Sequence, residues 1–368
     1  MDFLSLLMVM THKGASDLFI VAGKPPCIKV NGAIEPLSDT RLTPDMTMKL
    51  ATGIMTPKQI DEFDKTKECN FAIHEAGLGR FRVSAYIQRN TASMVLRRIA
   101  YEIPSVEDLN LPQIINELSL IKRGLVMFVG ATGTGKSTSL AAMIKYRNEH
   151  SNDHIITIED PLEYLHPHAG CIVSQREVGI DTESYEVALK NTLRQAPDVI
   201  LIGEVRTRET MQNAITFAET GHLCLTTLHA NNANQALDRI IHFFPEDMHS
   251  QLFMELSLNL RAIIAQQLIQ RADGKGRYPA VEILVSTPLV IDLIRKGEIH
   301  KLKEVMKNSR EHGMQTFDQA LFDLYKHGKI TYEDALHSAD SKHEVRLMIN
   351  LSETTCRASF SARACHGP

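Results

Sequence analysis

Tryptophan is absent from the 368 residues, cysteine occurs only six times, and neither sign of charge predominates. Lysine and arginine total 40 against 44 aspartates and glutamates, a formal charge of −4. Without a basic excess the chain lacks the electrostatic footprint of a non-specific nucleic-acid binder, so no nucleic-acid partner is expected. The cysteines at 27, 69, 171, 224, 356 and 365 form no Cys-x-x-Cys pair and stand at no ligand spacing with histidine. Reduced thiols fit that scatter better than a disulfide framework or a zinc site, and no zinc is expected. No apolar run approaches the roughly 18–20 residues that span a bilayer. The apolar opening from Phe3 to Met10 is short and preceded by Asp2, where a signal peptide carries positive charge. An amphipathic first helix in a cytoplasmic protein is the expectation.

What is present is an ordinary globular composition, 43% hydrophobic and 23% charged, in a chain long enough for two cores. Residues 1–99 read as a small α+β domain. Asn31-Gly32 separates two short apolar runs, a hairpin signal. Phe81, Val83, Ala85 and Ile87 alternate with Arg82, Ser84, Tyr86 and Gln88, the period of a half-buried strand, and a β-like run follows at 93–99. A polar stretch containing Pro104 reads as a linker over 100–112. From 113 to 285 strands alternate with helices, the mark of a mainly parallel sheet. The runs at 125–129, 155–158, 199–202 and 223–228 are apolar throughout, as strands buried on both faces are. Beyond about 245 the chain reads as mostly helical, with an amphipathic stretch from Met248 to Gln270 and a helical subdomain over 286–350. The segment 351–368 is rich in small residues, lacks periodicity and reads as a disordered tail.

The chemistry concentrates in four segments. Gly130, Ala131, Thr132, Gly133, Thr134, Gly135, Lys136, Ser137 and Thr138 fit G-x-x-x-x-G-K-[ST] between an expected strand and an expected helix. Glycines let backbone N–H groups converge on phosphates, and the helix start adds its positive dipole end. Lys136 would bridge the β- and γ-phosphates of ATP, and the Ser137 hydroxyl would take Mg²⁺. The alternative is a glycine-rich turn without a ligand.

Glu159, Asp160 and Glu163 follow a buried strand, and ligands of open α/β sheets bind at the carboxyl ends of strands. Phosphoryl transfer to water needs a carboxylate to orient or deprotonate that water, and Glu163, beyond Pro161, is the candidate base. A solvated acidic turn is the plainer reading. Asp198 to Glu204 resembles a Walker B strand in which Gly203 replaces the usual aspartate. That leaves Glu204 to support the metal, directly or through its water. His222 and His229 frame a fourth apolar strand, and the carboxyl-end position favours His229 as the sensor of the γ-phosphate. Arg80, Arg82 and Arg97 in the first domain and Arg194 and Arg206 in the core have the planar fork that suits phosphate. Solvated surface arginine is the default for the first three, and the sequence leaves open which of the five reaches a nucleotide.

The order of P-loop, acidic segment, atypical Walker B and histidine segment resembles the type II/IV secretion ATPase superfamily, specifically its pilus retraction (PilT/PilU) branch. Local strings carry the resemblance across 1–345: Gly14 to Leu18, Gly77 to Arg82, Asn191 to Asp198, Ala218 to His222, and Gly313 to Asp318. Assembly members of the superfamily carry a four-cysteine zinc module where Ile269 to Arg277 has no cysteine, which favours retraction. Val290 to Glu298 lacks an Arg-Asn pair of PilT-type helices and, with His300 to Glu304, is similar to the PilU-like form. The resemblance implies a PAS-like α+β N-terminal domain, a RecA-like α/β P-loop core with a helical C-terminal extension, and a homo-hexameric ring using ATP and Mg²⁺. It further implies a PilT-type partner ATPase, an inner-membrane platform protein of the pilus, and a peripheral place at the pilus base. Two rival expectations are a subunit that binds nucleotide without hydrolysing it and a RecA-like nucleic-acid translocase.

Overall fold

A computed structural model describes residues 2–30, 32–99 and 102–352. The chain divides into two compact units, one comprising 1–102 with Glu163–Leu165, the other 103–162 with 166–368.

The first unit runs α1 (Phe3–His12), β1 (Asp17–Val21), β2 (Cys27–Val30), β3 (Ala33–Pro36), α2 (Pro44–Thr52), α3 (Pro57–Thr66), β4 (Glu68–Glu75), β5 (Gly79–Gln88) and β6 (Thr91–Arg98). Its antiparallel sheet has the order β3-β2-β1-β6-β5-β4. Val30 pairs with Ala33 across the expected hairpin, with Gly32 at φ 87° in the left-handed region glycine tolerates. On β5 the alternation places Phe81, Val83 and Ala85 in the core beside Leu18, Ile20 and Met94. Thr43 and Thr56 cap α2 and α3 ahead of a proline in the first turn, which ends the preceding chain and pre-sets helical φ.

The second unit runs α4 (Ile114–Ser119), β7 (Gly124–Val129), α5 (Lys136–His150), β8 (His154–Glu159), β9 (Ile172–Glu177), α6 (Tyr185–Thr192), β10 (Val199–Ile202), α7 (Arg208–Glu219), β11 (Leu223–Leu228), α8 (Ala233–His242), α9 (His249–Asn259), β12 (Leu260–Gln270) and β13 (Arg277–Val285). Then follow α10 (Pro288–Arg295), α11 (Leu302–Lys307), α12 (Phe317–Lys326), α13 (Tyr332–Ser338) and a helix at 342–352. The sheet order is β13-β12-β7-β11-β10-β8-β9, parallel except for the β12–β13 hairpin. Helices cover both faces, and β7 shows why its sequence is apolar throughout. Leu125, Met127 and Val129 enter one hydrophobic cluster, while Val126 and Phe128 enter the other.

The expected amphipathic helix from Met248 to Gln270 is corrected here. Its first half forms α9, but Leu260–Gln270 is a strand between β7 and β13. An apolar run of that length satisfies helix and strand alike, and pairing on both sides decides it. The helical region therefore begins at α10. Residues 100–101 of the expected linker and 353–368 of the expected tail lie outside the described residues, while Leu351 and Ser352 still belong to a helix.

Candidate nucleotide site

Four parallel strands end on the same edge of the large sheet. β7 runs into Gly130, β8 into Asp160, β10 into Gly203 and Glu204, and β11 into His229. The register aligns Val129 with Leu228, and Ile202 with both Thr226 and Ile158, so these residues emerge side by side. That edge is where open α/β sheets take ligands.

The loop from Gly130 to Gly135 needs glycine at its ends. A Cβ on Gly130 would stand 2.6 Å from Thr134 Oγ1 and 2.7 Å from the Gln266 carbonyl oxygen. Gly135 caps α5 at φ 87°, and a Cβ there would meet Gln266 Nε2 at 2.9 Å. Within the loop, Thr134 Oγ1 donates to the Ala131 carbonyl at 2.9 Å. The buried Lys136 ammonium donates to the carbonyls of Gly130 (2.9 Å) and Ala131 (2.8 Å), which brings its charge into the curve of the loop. Ser137 and Thr138 lie half-buried in the first turn of α5, where backbone N–H groups have no carbonyl of their own helix to bond. Ala131, Thr132 and Gly133 are exposed at the loop tip.

Gln266, on β12, escaped sequence reasoning. Its buried side chain accepts from Ser139 Oγ at 2.8 Å and donates to the Thr134 carbonyl at 2.8 Å, clamping the loop and its helix to the neighbouring strand. No motif marks it, and its segment reads as a helix until the strand pairing is known.

Glu204 and His229 meet directly. Glu204 Oε1 lies 2.9 Å from His229 Nε2, and Oε2 accepts from Arg206 at 2.7 Å. The Glu204 side chain is only 18% exposed, whereas that of Arg206 is 64% exposed, so the arginine screens rather than buries the acid. Thr227 Oγ1 donates to the Gly203 carbonyl at 2.6 Å, tying the end of β10 to β11. Glu159 Oε1 accepts from Thr157 Oγ1 at 2.7 Å and, more weakly, from Gln175 at 3.5 Å. Glu163 is exposed and groups with the first unit.

The other candidates stand elsewhere. His222 is at the amino end of β11, roughly 20 Å along the strand from His229 at about 3.3 Å per residue. Its Nδ1 lies 3.1 Å from both the Phe217 carbonyl and Thr220 Oγ1, closing the end of α7. Arg194 is exposed in the turn before β10, also at the amino edge. Arg82 and Arg97 face each other across β5 and β6 in the first unit, where Arg97 donates to the buried Asp17 at 2.8 Å.

Among the described residues no group of three or more His, Cys, Asp or Glu is arranged to cage a metal. A Mg²⁺ that arrives with a nucleotide needs no cage: it keeps several waters and takes one or two protein oxygens beside the phosphates. The Ser137 hydroxyl and the Glu204 carboxylate are donors of that kind.

A family profile described as "Type II/IV secretion system protein" matches residues 6–337. The chain is 65% identical over 351 residues to the type IV pilus ATPase PilU of Pseudomonas aeruginosa, covering 95% of this chain and 92% of that one. It is 39% identical over 339 residues to the retraction ATPase PilT of the same organism, covering 92% and 98%. The crystal structure of the pilus retraction motor PilT with bound ADP superposes with a TM-score of 0.87 at 40% identity, covering 94% of this chain and 98% of that one. The Legionella pneumophila ATPase DotB superposes with a TM-score of 0.77 at 26% identity, covering 90% and 93%. The α/β architecture expected from the sequence, with a RecA-like P-loop core, is the one these structures share with it.

Proposed function

The chain belongs to the type II/IV secretion ATPase family, and from that premise we propose that it is an ATP-driven motor that powers or assists retraction of type IV pili. One observation carries the reading. The P-loop and the Glu204–His229 pair come together on one sheet edge, in a chain similar over nearly its whole length to pilus ATPases.

In this reading the N–H groups of Gly130 to Thr138 cradle the triphosphate, and Lys136 turns from the loop carbonyls to the β- and γ-phosphates. Mg²⁺ bound with ATP would supply neutralisation of the charge that builds on those phosphates. The Ser137 hydroxyl would hold it, and the Glu204 carboxylate would hold it or one of its waters. Glu163 is the general base that takes a proton from the attacking water. His229, bonded to Glu204, exchanges that bond for the γ-phosphate and so reports its presence. Arg206 and one or more of Arg82, Arg97 and Arg194 are further candidates to meet phosphate, the last three from a neighbouring subunit. The assembly is a homo-hexamer on the cytoplasmic side of the inner membrane, acting on a platform protein at the pilus base together with a PilT-type ATPase.

The test has a biochemical and a cellular arm. Lys136→Ala should abolish phosphate release by the purified protein while leaving its melting temperature in place; unchanged release would refute the site. In cells lacking the gene, wild type but not Lys136→Ala should restore retraction, and only when the PilT-type partner is present. Full retraction by this protein alone would remove the partner from the proposal.

A further inference from the structure

The Walker B-like strand lacks its usual acid at Gly203, and the structure supplies a reason. A Cβ built on Gly203 would stand 3.0 Å from the Tyr185 hydroxyl, 3.1 Å from Glu159 Cα and 3.3 Å from the Ile158 carbonyl oxygen. The space a side chain would need is already filled, and the polar atom filling it is a phenol oxygen from a different element. Tyr185 is the first residue of α6, whose cap, Ser184, accepts from the Val187 N–H and fixes the start of the helix. The ring packs half-buried against the larger hydrophobic cluster of the sheet, so the hydroxyl is delivered to the strand ends from a rigid support.

Its surroundings are those of the site. Burial, and after it the charges of Asp160 and Glu159, hold the phenol well above its ordinary pKa, with Arg206 and the backbone N–H of Glu204 partly offsetting them. The oxygen lies where it accepts from the Glu204 backbone N–H, with Asp160 and Glu159 close by. Gly203 is in turn fixed by its N–H to the Ile158 carbonyl at 2.8 Å and by Thr227 at its own carbonyl. Tyr185 thus packs on the one peptide whose orientation sets where Glu204 points.

We propose that Tyr185 is a positioning residue for ATP hydrolysis: its hydroxyl occupies the place of the missing Walker B side chain and sets the backbone from which Glu204 projects. The inference rests on the reading that Glu204 supports the metal or its water. Tyr185 acts through Glu204. Losing one such hydroxyl corresponds to roughly a three- to tenfold change in rate.

The experiment is a double-mutant cycle on the full chain, with Tyr185→Phe, Glu204→Gln and the pair. Phosphate release gives kcat and KM, a fluorescent non-hydrolysable ATP analogue gives Kd, and thermal unfolding gives Tm. Tyr185→Phe keeps the ring in its packing, so Tm should be unchanged and Kd and KM should stay within about twofold of wild type. The kcat should fall roughly three- to tenfold, and the same substitution in the Glu204→Gln background should cost nothing further. Equal losses in both backgrounds, an unchanged kcat in Tyr185→Phe, or a kcat loss matched by a fall in Tm would each overturn the proposal while leaving Glu204's role standing. Wild-type turnover in Glu204→Gln alone would overturn both.

Discussion

Replacing Glu282 by glutamine probes how one buried acid ties the stability of the core to pH. Glu282 lies on β13, 1% exposed, and its Oε1 accepts from the Ala233 N–H at the start of α8 at 2.8 Å. Burial pushes its carboxyl up from 4.5 to about 7; Asp340 adds to the rise, while the N–H groups of Ala233 and Phe317 and the Lys303 charge oppose it. Between those two values the folded protein holds a proton that the unfolded chain has released. The stabilisation is complete below 4.5 and disappears as pH rises through 7. A difference of about 2.5 units, at about 1.36 kcal/mol each, amounts to about 3 kcal/mol. His166 works in the opposite sense, because burial holds its imidazole at about 4 against an ordinary 6.5. There the unfolded chain takes the proton, and stability rises with pH through that window. The two slopes oppose each other up to about pH 6.5, and above it Glu282 acts without that opposition. Urea unfolding at closely spaced pH values from 5 to 8.5 should show wild type losing stability between 6.5 and 8, and Glu282→Gln losing much less. Below 6.5 the variant should gain stability with rising pH, as the His166 slope is uncovered. Parallel curves for the two proteins would refute the reasoning.

Gln266→Leu removes both hydrogen bonds of the loop clamp and leaves the Thr134 carbonyl and the Ser139 hydroxyl without their partner, a cost of about 2 kcal/mol. Nucleotide affinity, read by fluorescent-analogue titration, should weaken at least tenfold; an unchanged Kd would show that the loop holds its shape unaided. His222→Ala should lower stability by about 1 kcal/mol through the lost contacts at the end of α7 and leave phosphate release within twofold. A tenfold fall in turnover would instead place His222 in the site.

Much of the site was readable because its strands are uniform. A fully apolar run flanked by glycine or acid, as at Leu125 to Gly130 or Val199 to Glu204, has one compact solution when helices cover both faces, and its polar successor then lies at the strand end. The meeting of Glu204 with His229 follows from that rule once β10 and β11 are neighbours. Gln266 and Tyr185 obey no such rule. Gln266 depends on β12 being a strand, yet its Leu-Arg-Ala-Ile-Ile-Ala-Gln-Gln segment is rich in good helix formers, and only β7 and β13 override that preference. Tyr185 stands at the head of a helix where any ring would serve as packing, and its proposed role rests on the hydroxyl that fills the space over Gly203. His222 shows the reverse. The direction of its strand, already legible in the sequence, puts it at the amino end, away from His229.

The β12–β13 hairpin has a mechanical meaning beyond its place in the sheet. β13 carries the ladder contact to Gln315 and leads into α10, so the C-terminal helices hang from it, while β12 grips the phosphate loop through Gln266. Strands pulled along their length resist as many hydrogen bonds loaded at once, so a tug on those helices reaches the loop with little give. Helices and phosphate loop are then opposite ends of one stiff rod, and the amide of a single glutamine is its coupling pin.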